Sequence, residues 1–174
     1  MGRRLVLLAA AAAVVALPAA SHAAPAKSYQ APFAIGPAGG DSLGFRSADP
    51  NGQVMVGRVY PMVGPISCPG GGAYADLKVV HKDRAAVHKV SAAYTQALID
   101  PYVYLSVGVR DATGRWIGSK KVAGLTGDGH VDVPVRWDRT VRAPLQVIFG
   151  LELSTACPHA DGGMVRFTKV TVSG

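Results

Sequence analysis

The sequence predicts an all-β domain, a two-sheet, jelly-roll-like sandwich, behind a secretory signal. Composition is the first observation: there are 21 glycines but a single glutamate, Glu152, which suits strands and turns better than helices. Secondly, turn residues separate short β-branched runs at the spacing of a β-sandwich. Thirdly, several of these runs alternate strictly between apolar and polar side chains, as half-buried strands do.

The first 23 residues have the features of a secretory signal peptide. Arg3 and Arg4 form the positive region, residues 5–17 are apolar but too short to span a bilayer comfortably, and residues 21–23 offer a signal-peptidase site. We therefore expect cleavage after Ala23 and a secreted, extracellular chain of 151 residues (174 minus 23). An uncleaved anchor helix is the alternative. The arginine pair fits either the general secretory or the twin-arginine route.

The exported chain divides into a lead-in and one domain. Residues 24–52 are rich in glycine, proline, alanine and serine, and they predict a loosely ordered lead-in with one short strand near residues 43–46. Residues 53–174 carry the strand-forming runs and predict the β-sandwich domain. A second long apolar segment does not follow the signal, so we expect no membrane span after cleavage.

Residues 83–98 allow both a helix and a strand. Val90, Tyr94 and Leu98 recur at helical spacing in an alanine-rich stretch. The same stretch also places Val90, Ala92 and Tyr94 on one face of a strand. We favour the strand because the rest of the chain is β, and tertiary context often overrides local propensity.

Three alternating stripes predict the core. Residues 103–109, 131–137 and 145–153 each place an apolar side chain at every second position. The first stripe runs into a turn ending at Gly114, which predicts a hairpin with a bulge and a returning strand over residues 115–122. Pro134 cannot donate to a ladder, so its strand is expected at a sheet edge. The expected core residues are Val103, Leu105, Val107, Val109, Val131, Val133, Val135, Trp137, Leu145, Val147, Phe149, Leu151 and Leu153.

Cys68 and Cys157 are predicted to form a disulfide. An exported chain reaches an oxidising compartment, where an even number of cysteines pairs by default. Their contexts also match, because a proline and then glycines follow each cysteine. Metal ligation is disfavoured, since neither a Cys-x-x-Cys motif nor a histidine cluster accompanies them.

The charge of the chain favours acidic partners. The formal net charge is +7, and the loss of Arg3 and Arg4 with the signal lowers it to +5. A basic excess attracts anionic polymers without specifying one, and the sequence carries no nucleic-acid-binding motif. We expect a polysaccharide or an anionic polymer of the cell envelope as the partner.

The order of strands and turns from residue 72 to residue 173 resembles a known fold family. The order comprises strands at 73–80 and 90–94, the strand and turn at 102–114, a Gly-Asp-Gly turn at 127–129 leading into 131–135, and strands at 145–153 and 165–172. It resembles the galactose-binding-like jelly-roll sandwich of secreted carbohydrate-binding modules. The resemblance implies a non-catalytic module that binds extracellular or cell-envelope glycan.

Aromatic residues on the face opposite the core form the candidate binding site. The predicted hairpin register pairs Arg110 with Trp116, and by the same parity Tyr102 and Tyr104 share the side of Trp116. Such an aromatic strip, with an arginine beside it, suits stacking on sugar rings. Alternatively, these aromatics pack beneath a loop or in the sandwich. The protein would then be a structural or protein-interaction domain of the envelope without a sugar site.

The sequence offers no motif for catalysis or for a cofactor. The Gly-x-Ser-x-Gly elbow, the His-Glu-x-x-His motif and the phosphate loop are all absent, so we expect neither an enzyme nor a cofactor. A paired-carboxylate glycosidase would need Glu152, which is better explained as an exposed strand residue. Asp128, Asp132 and Asp161 carry carboxylates for a structural calcium ion, but turns rich in aspartate and glycine need no ion.

Overall fold

The computed structural model describes residues 25–41, 44–58, 72–153 and 162–174. Within these ranges the chain forms eleven β-strands and no helix. The strands are β1 (Lys27–Gln30), β2 (Ala34–Gly40), β3 (Gly44–Ala48), β4 (Gln53–Arg58), β5 (Ala73–His81), β6 (Lys89–Ile99), β7 (Val103–Arg110), β8 (Trp116–Ala123), β9 (Thr126–Pro134), β10 (Leu145–Leu153) and β11 (Gly162–Ser173).

The strands make two antiparallel sheets that pack face to face. The six-stranded sheet has the order β3-β4-β11-β6-β9, and β1 also pairs with β11. The five-stranded sheet has the order β2-β5-β10-β7-β8. Strand β9 lies at an edge, as its terminal Pro134 predicted. The predicted all-β, two-sheet sandwich is confirmed.

The core lies between the sheets and is built from the predicted stripes. The alternating apolar residues of β7, β9 and β10 are all buried. Phe149 of β10 is fully buried and packs edge to face against Phe33 and Phe167, with ring centroids 5.1 and 4.9 Å away. Trp137 differs from the prediction: it lies beyond the end of β9 and is only partly buried against the core.

The ambiguous segment is a strand from Lys89 onward. Strand β6 pairs with β11 on one side and β9 on the other, so its backbone is satisfied by neighbours on both edges. Val90, Ala92 and Tyr94 are buried on one face as predicted, and the helical alternative is wrong. A bulge follows Tyr94, with Gln96 at φ 55°, which resets the alternation along the strand.

The predicted lead-in contains three strands rather than one. Strands β1 and β3 join the six-stranded sheet, and β2 joins the five-stranded sheet. The sequence obscured β2 because glycine and proline have low β propensity, yet an edge strand tolerates Pro37. Its pairing with β5 shifts register between Ile35 and Ala38. Strands β1, β2 and β3 are therefore part of the sandwich.

Several predictions concern residues outside the described ranges. The signal peptide over residues 1–23, the Cys68–Cys157 disulfide and Asp161 all fall there. Among the described residues, none belongs to an apolar helix of membrane-spanning length.

Candidate functional site

The β7–β8 hairpin places Arg110 and Trp116 side by side on the outer face of the five-stranded sheet. In the turn, Oδ1 of Asp111 accepts hydrogen bonds from the hydroxyl and the backbone N–H of Thr113, at 2.6 and 2.9 Å. The hydrogen bond from the Thr113 hydroxyl, together with the hydrogen bonds from the backbone N–H groups of Thr113 and Arg115, holds the pKa of the Asp111 carboxyl below its usual value. Gly114 adopts φ 87°, the left-handed conformation that this turn requires. The predicted hairpin and its facing pair are confirmed.

Trp116 is half exposed and lies across β7. Its side chain keeps 50% of its surface open, and the guanidinium carbon of Arg110 lies 4.0 Å from the centre of the indole, within cation–π range. A Cβ at Gly108 would overlap Cζ3 of the indole. The indole can therefore lie over the strand only because residue 108 has no side chain.

A shallow groove extends from Trp116 to two tyrosines. The depression beside Trp116 measures about 430 Å³, and the next, beside Tyr74 and Tyr104, measures about 510 Å³. Lys121 and Glu152 line both depressions and so lie between them. Tyr104 is four residues along β7 from Gly108, the glycine under the indole. Four residues of strand separate the two ends of the groove by about 13 Å. The groove thus has an aromatic side chain at each end.

Charged groups meet in the middle of the groove. Nζ of Lys121 lies 2.5 Å from Oε2 of Glu152, an ion pair between β8 and β10. Asp76 on β5 lies opposite Gly150 of β10. Burial, and then the nearby charge of Glu152, raise the pKa of the Asp76 carboxyl to about 6. Its side chain makes no hydrogen bond or ion pair with a described residue.

The raised pKa of Asp76 predicts a stability that falls as pH rises. An aspartate in an unfolded chain has a pKa of about 3.9, whereas the fold raises the pKa of Asp76 to about 6. Between these values the folded state binds more protons than the unfolded state, so the free energy of unfolding decreases with pH. We expect Asp76→Asn to be more stable than wild type at about pH 7.5 and to lose that advantage near pH 3.5.

Urea unfolding of both proteins across this pH range measures the effect. Asp83→Asn is a matched control, because Asp83 is an exposed aspartate far from the groove that pairs with Lys27. A difference between Asp76→Asn and wild type that stays constant across the range contradicts the prediction.

Two of the four predicted binding residues, Trp116 and Tyr104, line the groove, and a third, Arg110, lies against the Trp116 indole. Trp116 and Arg110 form one end, and Tyr104 lies at the other. Trp116 and Tyr104 are not buried together. Tyr102 precedes β7 and packs against the core, so it lines neither depression.

Tyr74, Asp76 and Lys121 are among the groove residues that the sequence did not predict. The alternation of residues 73–80 does place Tyr74 and Asp76 on the face opposite the core. What the sequence did not indicate is that β5 lies beside β10, far along the chain, which brings Asp76 close to Glu152.

The aspartates considered for calcium have other partners. Oδ1 of Asp128 accepts a hydrogen bond from the backbone N–H of Gln96 at 3.0 Å. Asp132 forms an ion pair with Lys89 at 3.6 Å. In the part of the chain that the structure describes, histidine, cysteine and acidic residues form no group that could hold a metal ion.

Comparison with known proteins finds similarity only to solved structures. Neither a family model nor a curated protein sequence matches the chain. One similar structure is the enzymatically active domain of bacteriophage CBA120 tailspike protein 4, with a TM-score of 0.43 and 7% identity, covering 86% of this chain. This chain spans 19% of that domain's length.

Two carbohydrate-binding modules are also similar. A family 29 module has a TM-score of 0.41 and 10% identity, with 86% of each chain covered. The family 11 module of a Clostridium thermocellum cellulosomal cellulase has a TM-score of 0.40 and 9% identity, covering 84% of this chain and 86% of the module. TM-scores below 0.5 do not define the ligand of the groove.

Proposed function

We propose that this protein is a secreted, non-catalytic module that binds extracellular or cell-envelope glycan along the groove of the five-stranded sheet. The half-exposed indole of Trp116, lying over Gly108 beside Arg110, carries the proposal. A flat aromatic surface of this kind suits the C–H face of a sugar ring, which combines apolar area with polar edges.

The rest of the groove supports a glycan chain as the ligand. Tyr74 and Tyr104 offer a second aromatic end, and the distance of about 13 Å along the strand is longer than one sugar ring. Between these ends lie polar groups, Asp76 and Ser106 among them, which can bond to hydroxyls. Alternating aromatic and polar surface is the pattern expected of a site for a polar ligand with apolar faces.

A second candidate is a protein-interaction or structural domain of the envelope. It is favoured by an apolar patch on the outer face of the six-stranded sheet, where Met55, Met164 and Leu98 follow one another across three strands, next to Phe45. Leu98 is 65% exposed, and contiguous apolar patches mark interaction sites. The two candidates use opposite faces of the molecule, so they can be tested separately.

Replacing Trp116 by alanine is expected to weaken glycan binding at least about tenfold, because the stacking surface is lost. Affinity electrophoresis in a panel of soluble polysaccharides, followed by calorimetry with the best binder, measures the effect. Leu98→Ala is the matched control, since it removes a large exposed apolar side chain from the opposite sheet. Retention of full affinity by Trp116→Ala, or equal loss in both variants, contradicts the proposal.

A further inference from the structure

We infer that Asp76 selects the ligand of this groove: its carboxylate accepts hydrogen bonds from the hydroxyls of a neutral sugar chain, and together with Glu152 it disfavours an acidic sugar at this position. The inference rests on the proposed function and adds the chemical class of the ligand. It is drawn from the position of Asp76, from its lack of a partner and from the charges around it.

Asp76 is left accessible by two glycines on the neighbouring strands. On β10, a Cβ at Gly150 would overlap Oδ1 of Asp76. On β2, a Cβ at Gly36 would lie 2.9 Å from the backbone oxygen of Asp76 and 3.1 Å from its Cβ. The carboxyl group therefore lies in the groove without a side chain on either neighbour to cover it.

The carboxyl group has acceptor capacity that no described residue uses. A polar group that is partly withdrawn from water without a hydrogen bond is unfavourable. Burial is the largest cause of the raised pKa of Asp76. Hydroxyl donors from a bound sugar would supply the missing bonds, and bonds to an ionised acceptor are stronger than bonds to a neutral one.

The two cations that act on Asp76 each contact another group, whereas Lys120, which also lines the groove, is not among the charges that act on Asp76. Three charged residues act on Asp76: Glu152 from β10, Arg110 from β7 and Lys121 from β8; β2 contributes no ionisable side chain. Lys121 is paired with Glu152, and the Arg110 guanidinium lies against the Trp116 indole.

An acidic sugar in this position would bring a further negative charge next to two carboxylates. Like charges at close range are unfavourable, and such repulsion is a common source of specificity. Asp76 and Glu152 therefore favour an uncharged sugar at this position.

The overall charge of the chain favours the opposite class of ligand. A formal net charge of +7 attracts acidic polymers at long range. Mobile ions screen that attraction beyond about 8 Å at physiological ionic strength, so contacts inside the groove decide which ligand stays bound. We therefore expect an uncharged polysaccharide at this site, rather than the anionic polymer that the net charge favours.

The pH dependence of ligand affinity distinguishes a binding role of Asp76 from a purely structural role. Hydroxyls donate to the ionised carboxylate, and protonation competes with them. Because the pKa of Asp76 is raised to about 6, affinity for a neutral ligand should rise between about pH 5 and pH 7.5. An amide at this position does not titrate, so affinity in Asp76→Asn should be independent of pH over this range.

Calorimetry with defined oligosaccharides provides the test. The probes are neutral hexasaccharides of β-1,4-, β-1,3- and α-1,4-linked glucose, and hexagalacturonate as the acidic ligand. We expect wild type to bind at least one neutral probe, and to bind hexagalacturonate at least about tenfold more weakly. Asp76→Asn should lose about tenfold in neutral-ligand affinity at the higher pH, whereas Asp83→Asn should behave like wild type. Thermal melts confirm that each variant is folded.

The outcomes separate this inference from the proposed function. Equal or tighter binding of hexagalacturonate by wild type overturns the selection by Asp76 while glycan binding stands. So does an Asp76→Asn variant that keeps both the wild-type affinity and its pH dependence. A wild-type protein that binds neither the neutral probes nor the uronate, nor any polysaccharide of the wider panel, overturns the proposed function itself.

Discussion

Replacing Phe149 by alanine is expected to lower the free energy of unfolding by about 3–5 kcal/mol. The ring is fully buried and contacts Phe33 and Phe167, the latter from the opposite sheet. Its removal would leave a cavity between the two sheets, which well-packed neighbours fill only in part. A loss of this size is a large fraction of the stability of an ordinary domain.

Denaturant unfolding of three variants side by side measures this effect. Gln146→Ala and Arg136→Ala are the controls, because their side chains do not belong to the core; each should change stability by no more than about 0.5 kcal/mol. If Phe149→Ala unfolds like wild type while Gln146→Ala is strongly destabilised, β10 is shifted by one residue, and its two faces are exchanged.

Loss of the predicted Cys68–Cys157 disulfide is expected to cost about 4–5 kcal/mol, because the bond closes a loop of about 90 residues and restricts the unfolded chain. Both cysteines lie outside the described residues, so the pairing stays a prediction. Segment 59–71, which contains Cys68, connects β4 to β5; segment 154–161, which contains Cys157, connects β10 to β11.

Both segments start and finish at the same end of the sandwich. The register pairs Gly162 with Gly57, and Glu152 with Tyr74. The start of β3 lies close to both pairs. Gly44 is opposite Arg58, and a Cβ on Gly44 would lie 2.7 Å from Cβ of Ala73.

Each cysteine is close in sequence to a described strand end. Cys68 is four residues before Gly72, the residue that precedes β5. Cys157 is four residues after Leu153, the last residue of β10. Four residues of extended chain span about 13 Å.

Thiol labelling followed by intact-mass measurement tests the bond. The purified protein should take up no label until it is unfolded and reduced, and should then take up one label on each cysteine. The Cys68→Ser, Cys157→Ser double variant should unfold at the same denaturant concentration as reduced wild type. Free labelling of both cysteines in the unfolded, unreduced protein would show that the bond is absent.

The parts of this fold that sequence predicted correctly depend on short-range rules. The burial of Val103 through Val109 and of Leu145 through Leu153 follows from a period of two. The pairing of Arg110 with Trp116 follows from a turn that ends in a left-handed glycine. The alternating burial and the hairpin pairing each depend only on residues that are close in sequence.

The parts that were missed depend on pairings between distant segments. The backbone of β2 is held by β5, although its glycines and Pro37 predict no strand. Asp76 gains its surroundings from Glu152 and Lys121, which lie on strands far from it in sequence. Helical spacing over residues 83–98 competed with the true strand because local propensity carries no information about the partners on either side.

The position of β11 has a consequence for the order in which this protein can fold. Strand β11 lies between β4 and β6 and also pairs with β1. A ribosome completes it after all of these partners, so the six-stranded sheet has no centre until almost the whole described chain has been synthesised. Pairings of this separation also form slowly. The six-stranded sheet therefore cannot be completed before β11 has been synthesised, and assembly of the sandwich follows the synthesis of all its other strands.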